Sequence, residues 1–144
     1  MARIKLELPE VFPFSSAIPV RITDLNYGGH VGNDTILSII HEARVLFLRQ
    51  FNYTEFDMGG VSLIMADVAI EFRSELFYGD ELIASVAVDS ISRAGFDLYY
   101  KLQKKTSESL VNVALAKTGM VCFDYKARKV ATMPEAVRVN FSVS

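Results

Sequence analysis

One cysteine in 144 residues, Cys122, has no partner for an internal disulfide and excludes a Cys-rich zinc site. Apolar runs long enough to cross a bilayer are also missing, although 51% of the chain is hydrophobic, so no membrane partner is expected. The opening MARIKLELPEVF lacks the apolar core and small-residue cleavage site of a secretory leader, which points to a cytoplasmic address. A net charge of −2 provides no broad basic field for a phosphate backbone and speaks against nucleic acid as a partner. A basic stretch, residues 101–105, reads as the solvated end of an edge strand, where lysines discourage pairing. Repeats, low-complexity tracts and linkers are absent. This length suits one hydrophobic core, so a single domain over 1–144 is expected. A mean hydropathy of +0.25 is high for a small monomer and implies apolar surface buried against another copy.

What is present is concentrated between residues 24 and 34, where three glycines and four Asn or Asp residues fall in eleven positions, a turn and helix-start composition. Two prolines upstream, Pro13 and Pro19, keep the preceding segment out of a central strand, and a peripheral strand can begin at Pro19. Downstream, Ile36, Ile39, Ile40, Ala43, Phe47 and Phe51 recur at spacings of three and four, which predicts a helix over 35–51. Asn33 or Asp34 is its expected N-cap, since a short side-chain acceptor satisfies a first-turn amide.

After Gly60 the period changes to two. Ile64, Ala66, Val68, Ile70 and Phe72 alternate with more polar positions, and further alternating runs cover 82–91, 96–102 and 110–125. Short turns join them, Tyr78-Gly79-Asp80 among them, so consecutive strands are expected to pair antiparallel. One helix facing such a sheet covers one face only, and the other face calls for a partner.

The run from Val20 to Asn33, VRITDLNYGGHVGN, resembles the V-R-x-x-D-x-D-x-x-G-H-V-N-N signature of hotdog-fold thioesterases of the 4-hydroxybenzoyl-CoA thioesterase type. His41-Glu42-Ala43-Arg44 is similar to that family's helix motif E-E-A-R, Tyr78-Gly79-Asp80-Glu81-Leu82 to its Y-G-D-E-L, and Val121-Cys122-Phe123-Asp124 with Met133-Pro134 to its last strand and tail. The resemblance implies an α+β hotdog fold, with one long central helix wrapped by a five- or six-stranded antiparallel sheet. It also implies a homodimer or homotetramer, no cofactor or metal, and a site for an acyl-CoA or acyl-carrier-protein thioester shared across the dimer interface. In such enzymes the thioester carbonyl points at backbone amides near the helix start. That places Gly29, Val31 and Asn33 at the substrate, with Tyr27 as a candidate lining residue. Independently of the family, unpaired amides at the positive end of a helix dipole stabilise an oxyanion.

One position departs from the pattern. The second acid of D-x-D, the family's catalytic carboxylate, is Asn26 here, and an amide is neither nucleophile nor general base at neutral pH. Gly32 also stands where the family usually has Asn. Three side chains are candidates for the missing role. His30 carries an imidazole, a group that titrates near neutral pH, or else it braces the turn. Glu42 lies on the helix, where some hotdog thioesterases place their carboxylate, or else it pairs with Arg44, Arg49 or a neighbouring strand. Asp24 orients Asn26 or His30, or else caps local amides. Asn26 itself holds a water or the thioester oxygen, or forms an Asx turn. Alternatives to thioester hydrolysis are an enoyl-thioester hydratase, whose D-x-N-P-x-H motif Asp24, Asn26 and His30 resemble with a shifted spacing and no proline, and a non-catalytic acyl-thioester binder.

Overall fold

The computed structural model describes residues 3–142. The elements in order are β1 (Phe14–Pro19), α1 (Asn33–Arg49), β2 (Ser62–Phe72), β3 (Glu81–Asp89), β4 (Gly95–Lys105), β5 (Leu110–Asp124), β6 (Lys129–Val130) and α2 (Glu135–Ser142). The strands form one antiparallel sheet in the order β1-β3-β4-β5-β2, with β6 on β5. Helix α1 lies in the curve of this sheet, the helix-in-a-wrap arrangement of the hotdog fold. No helix among the described residues is long and apolar enough to cross a membrane.

The helix forms where the three-and-four spacing predicts it and buries that stripe: Ile36, Ile39, Ile40, Ala43, Phe47 and Leu48 are all in the core. They meet the inward residues of the sheet, Leu98, Tyr100, Leu102, Ala114 and Ala116. Each large side chain buried in this way contributes roughly 1.5–3 kcal/mol, so the helix's position is over-determined by packing.

Several local expectations are corrected. Pro19 ends β1 instead of beginning it, and a 3-10 turn, Ile22–Asp24, follows. The N-cap of α1 is Gly32, with no side-chain cap, and Asn33 and Asp34 are its first two helical residues. Residues 101–105 belong to β4, an interior strand; their lysines point out of the sheet's outer face or past its end, and Lys101 Nζ sits 4.7 Å from the centre of the Phe12 ring.

The outer face also has an intramolecular cover that the alternation pattern does not announce. Residues 3–12 run across it: the Leu6 amide donates to Glu71 on β2 (3.1 Å) and Phe12 packs under Lys101 on β4. Leu115, cross-strand partner of both Glu71 and Lys101, is consequently buried on that face. Helix α2, likewise unforeseen, inserts Val137 and Phe141 at the far end of the core, with Phe141 5.0 Å from Phe96 and 5.7 Å from Phe47 between ring centres.

Candidate active site

The segment before α1 closes on itself. Leu25 and Val31 form an antiparallel bridge, the Asn26 amide donates to the His30 carbonyl (2.8 Å), and the Gly29 amide donates to the Asn26 carbonyl (3.1 Å). Asn26 Oδ1 accepts the Gly28 amide at 2.8 Å, which is an Asx turn. Gly29 has φ +82, the left-handed region that glycine enters without strain. This tight loop delivers His30 beside the helix start.

The His30 ring has one nitrogen committed. Its Nδ1 lies 3.1 Å from the Val31 carbonyl oxygen, and because a carbonyl only accepts, Nδ1 carries the proton. In the neutral ring Nε2 therefore presents a lone pair. Glycine at 28 keeps the approach open: a Cβ built there would stand 3.7 Å from His30 Nε2 and 3.2 Å from Asn26 Oδ1. On the other side, a Cβ at Gly32 would stand 3.8 Å from Asn26 Nδ2. Asn26 thus lies between the imidazole and the helix start, with its carbonyl in the Asx turn and its NH2 group directed toward the first turn of α1. Gly32 offers no capping side chain, and the side-chain atom nearest its Cβ position is Asp34 Oδ1, at 2.6 Å.

The wall opposite His30 is the segment after β2. It is pinned on three sides. The Val31 amide donates to the Leu76 carbonyl (2.8 Å), the Ser74 hydroxyl to the Asn112 carbonyl (2.7 Å), and Lys104 Nζ to the Glu75 carbonyl (2.7 Å). His30 bridges to Phe77 in the backbone and meets its ring edge-on at 6.4 Å. Between the two walls is a cavity of about 250 Å³ lined by His30, Asn33, Ile36, Phe72, Glu75 and Leu76 among others. Glu75 Oε1 lies 4.0 Å from His30 Nε2. Neither Glu75 nor Phe77 stands out in the sequence. They fall in an aperiodic connection, where only the presence of an acid beside the Y-G-D turn offers a signal.

The other sequence candidates are elsewhere. Glu42 and Asp24 line a second cavity of about 500 Å³, between β1 and α1, together with Arg21 and Arg49. Glu42 is exposed and forms no ion pair among the described residues, so the expected pairing with Arg44 or Arg49 is not made. Asp24 is buried, but its carboxylate accepts the Arg21 amide (2.8 Å) and Nη2 (3.3 Å); it is the local cap. Tyr27 is fully exposed, while Val31 is core. Of the eight residues singled out from the sequence, the fold gathers Asn26, His30, Gly29 and Asn33 around one point and takes Glu42 and Asp24 to another.

The chain is similar to known proteins over most of its length. The model of the thioesterase-like superfamily matches residues 20–141. The chain is 33% identical over 122 residues to a 1,4-dihydroxy-2-naphthoyl-CoA hydrolase of Microcystis aeruginosa, covering 83% of this chain and 86% of that one. Among solved structures, it is similar to a 1,4-dihydroxy-2-naphthoyl-CoA thioesterase from Synechocystis, with TM-score 0.80 and 23% identity over 90% of this chain and 95% of that one. It is also similar to a thioesterase from Thermus thermophilus complexed with coenzyme A and zinc, with TM-score 0.79 and 22% identity over 94% and 96% of the two chains.

Proposed function

The chain belongs to the thioesterase-like superfamily, and we propose that it hydrolyses acyl-CoA thioesters with His30 as general base and Asn26 as a hydrogen-bond donor in place of the family's carboxylate. The observation that carries the reading is the committed Nδ1 of His30, 3.1 Å from the Val31 carbonyl, which turns the Nε2 lone pair toward a cavity at an uncapped helix start.

In this mechanism a water gives its proton to His30 Nε2 as its oxygen bonds to the thioester carbon. The oxygen that becomes negative is met by first-turn amides of α1 and by Asn26 Nδ2, donors fixed before the substrate arrives. The tetrahedral species collapses with cleavage of the C–S bond, and His30 returns its proton to the leaving sulfur. The products are the free thiol and an acid that ionises to solvent. Arg73, which lines the same cavity and pairs with Glu71, and Lys104, bound to the Glu75 carbonyl, are the cations proposed to meet the coenzyme's phosphates.

The 33% identical relative is named for an aromatic acyl-CoA, a compact acyl group. Aromatic and short acyl-CoAs therefore lead the substrate panel. The same reading makes the unit a homodimer joined at β2. That strand is one of the two edges of the sheet, and Met65, Val68 and Phe72 expose apolar surface there; light scattering reads the mass directly. The test of function is release of free thiol from the panel, with crotonyl-CoA absorbance followed separately for hydration. Hydrolysis that disappears in His30→Ala, by about 10²- to 10⁴-fold in kcat, is the outcome required. Full activity of that variant would remove His30 as base.

A further inference from the structure

Resting on the hydrolytic reading of the His30 site, we infer that Glu75 supplies the carboxylate that position 26 lacks, by holding the attacking water together with His30. Glu75 Oε1 and His30 Nε2 stand 4.0 Å apart on facing walls of one cavity. That is too long for a direct hydrogen bond, whose heavy-atom distance is about 2.7–3.2 Å. Both atoms are acceptors: the carboxylate has no proton, and Nε2 of the neutral ring has none once Nδ1–H is given to Val31. One molecule satisfies two acceptors at this separation. A water donating to each at about 2.8 Å would subtend about 90° across the 4.0 Å gap, close to its own bond angle.

The backbone supports this placement. The Leu76 and Glu75 carbonyls are held by the Val31 amide and Lys104 Nζ, and the Ser74 hydroxyl is held by Asn112, so the loop is fixed while the Glu75 carboxylate projects freely. It is well exposed and hydrogen-bonds to no side chain among the described residues. In the reaction one O–H bond of the water breaks, its proton going to His30 Nε2 and its electron pair forming the new C–O bond. Glu75 keeps the second hydrogen bond throughout and stays ionised. After the C–S bond breaks, the proton on His30 goes to the sulfur, and the second hydrogen leaves to solvent as the acid ionises. Glu75 contacts the reacting water, so it is a catalytic residue in this scheme.

The experiment compares the parent chain with Glu75→Ala, Glu75→Gln and His30→Ala on an acyl-CoA that the parent hydrolyses, with melting temperatures alongside. Glu75→Ala is expected to lose about 10- to 100-fold in kcat, with KM and melting temperature little changed. Glu75→Gln, whose amide oxygen still accepts, loses less. Added formate restores part of the Glu75→Ala rate, and hydroxylamine, a nucleophile that needs no base, reacts with the acyl group at near-parental rate in that variant. Parental kcat in Glu75→Ala while His30→Ala is impaired overturns the role of Glu75 and leaves the hydrolytic reading standing. A rise in KM alone overturns it too, in favour of substrate binding. A parent inert on the whole panel overturns the hydrolytic reading and this inference together.

Discussion

Arg44 Nη1 reaches the hydroxyl of Tyr100 at 3.2 Å, so a guanidinium on the buried face of α1 meets a phenol from the middle of the sheet. The contact is one link of a polar chain through the core. Arg44 Nε donates to Glu55 at 2.9 Å, the Tyr100 hydroxyl and Thr118 Oγ1 are 2.8 Å apart, and His41 Nε2 lies 3.1 Å from the same Glu55 oxygen. No buried side-chain polar atom among the described residues is left without a partner. The helix is therefore held in the sheet by directed bonds as well as by apolar packing, and its register along the sheet, which sets where its first turn points, depends on both.

Removing one member of such a chain takes a partner from its neighbours, of which Arg44, Tyr100 and Thr118 are buried. Tyr100→Phe keeps the ring and deletes the hydroxyl, and is expected to cost about 1–3 kcal/mol. Arg44→Ala uncovers the chain at its charged member and costs about 3–5 kcal/mol. Arg44→Met fills the volume but takes one donor from Glu55 and one from Tyr100, which keep His41 and Thr118 as partners, so it falls between the two. Urea midpoints at constant m-value measure all three. A double variant, Arg44→Met with Tyr100→Phe, less destabilised than the sum of its parts confirms that the residues act as one network.

The same tyrosine gives the fold an alkaline limit. Burial pushes the Tyr100 phenol up, and the Arg44 charge offsets that only in part. In the unfolded chain the phenol ionises near about pH 10. Below that value both states hold the proton and the stabilisation is complete; above it the unfolded chain releases its proton first, and stability falls as pH rises toward the folded value. Tyr99 and Cys122 are raised as well, so the informative quantity is the difference between parent and Tyr100→Phe. Between pH 9 and 11 the parent should lose stability more steeply, by at most about 1.4 kcal/mol per pH unit.

Cys122 is fully buried, and burial, opposed by the Arg138 charge, pushes its thiol up. Thiol exchange needs the thiolate and access to it, and both are denied here. The native protein is expected to consume no aromatic disulfide reagent over an assay and one equivalent once unfolded, counted by absorbance. Thiol released during turnover then comes from substrate alone. Rapid labelling of the folded protein would show an opening of the sheet that this packing does not provide.

Much of the frame was legible because periodicity follows burial. The run of Ile36, Ile39, Ile40, Ala43 and Phe47 marks a helix with one apolar face, and the four alternating runs after Gly60 mark the strands β2 to β5 to within a few residues. Elements without a period escaped. Residues 3–12 are held by single contacts such as Leu6 to Glu71 and Phe12 to Lys101, and α2 is two turns long with only Val137 and Phe141 buried. The glycine-rich spacing put His30 and Asn26 beside the helix start, where the structure has them. It could not reveal Glu75, which approaches from 45 residues away in sequence through the pairing of residues 30 and 77. Glu42 stands apart from this group for the converse reason. Its motif places it on the helix, and three-dimensional packing turns it toward β1.

Asn26→Asp restores the family's carboxylate and separates the two ways in which this position can work. The Asx turn survives the change, because either oxygen of Asp accepts the Gly28 amide that Asn26 Oδ1 now holds at 2.8 Å. The variant should fold with a melting temperature close to that of the parent. What it loses is the NH2 donor beside the helix start, and what it gains is a negative charge where an oxyanion is to form. In a site preorganised around His30, both changes oppose the transition state, and removal of one such donor costs about 10²- to 10³-fold in kcat. The expected result is that loss, with substrate binding weakened less than turnover. Asn26→Ala should lose a similar amount in rate and stability besides, since it also removes the turn. If Asn26→Asp instead hydrolyses faster than the parent and no longer needs His30, the family's carboxylate chemistry is still latent in the scaffold, and the division of labour proposed among Asn26, His30 and Glu75 does not hold.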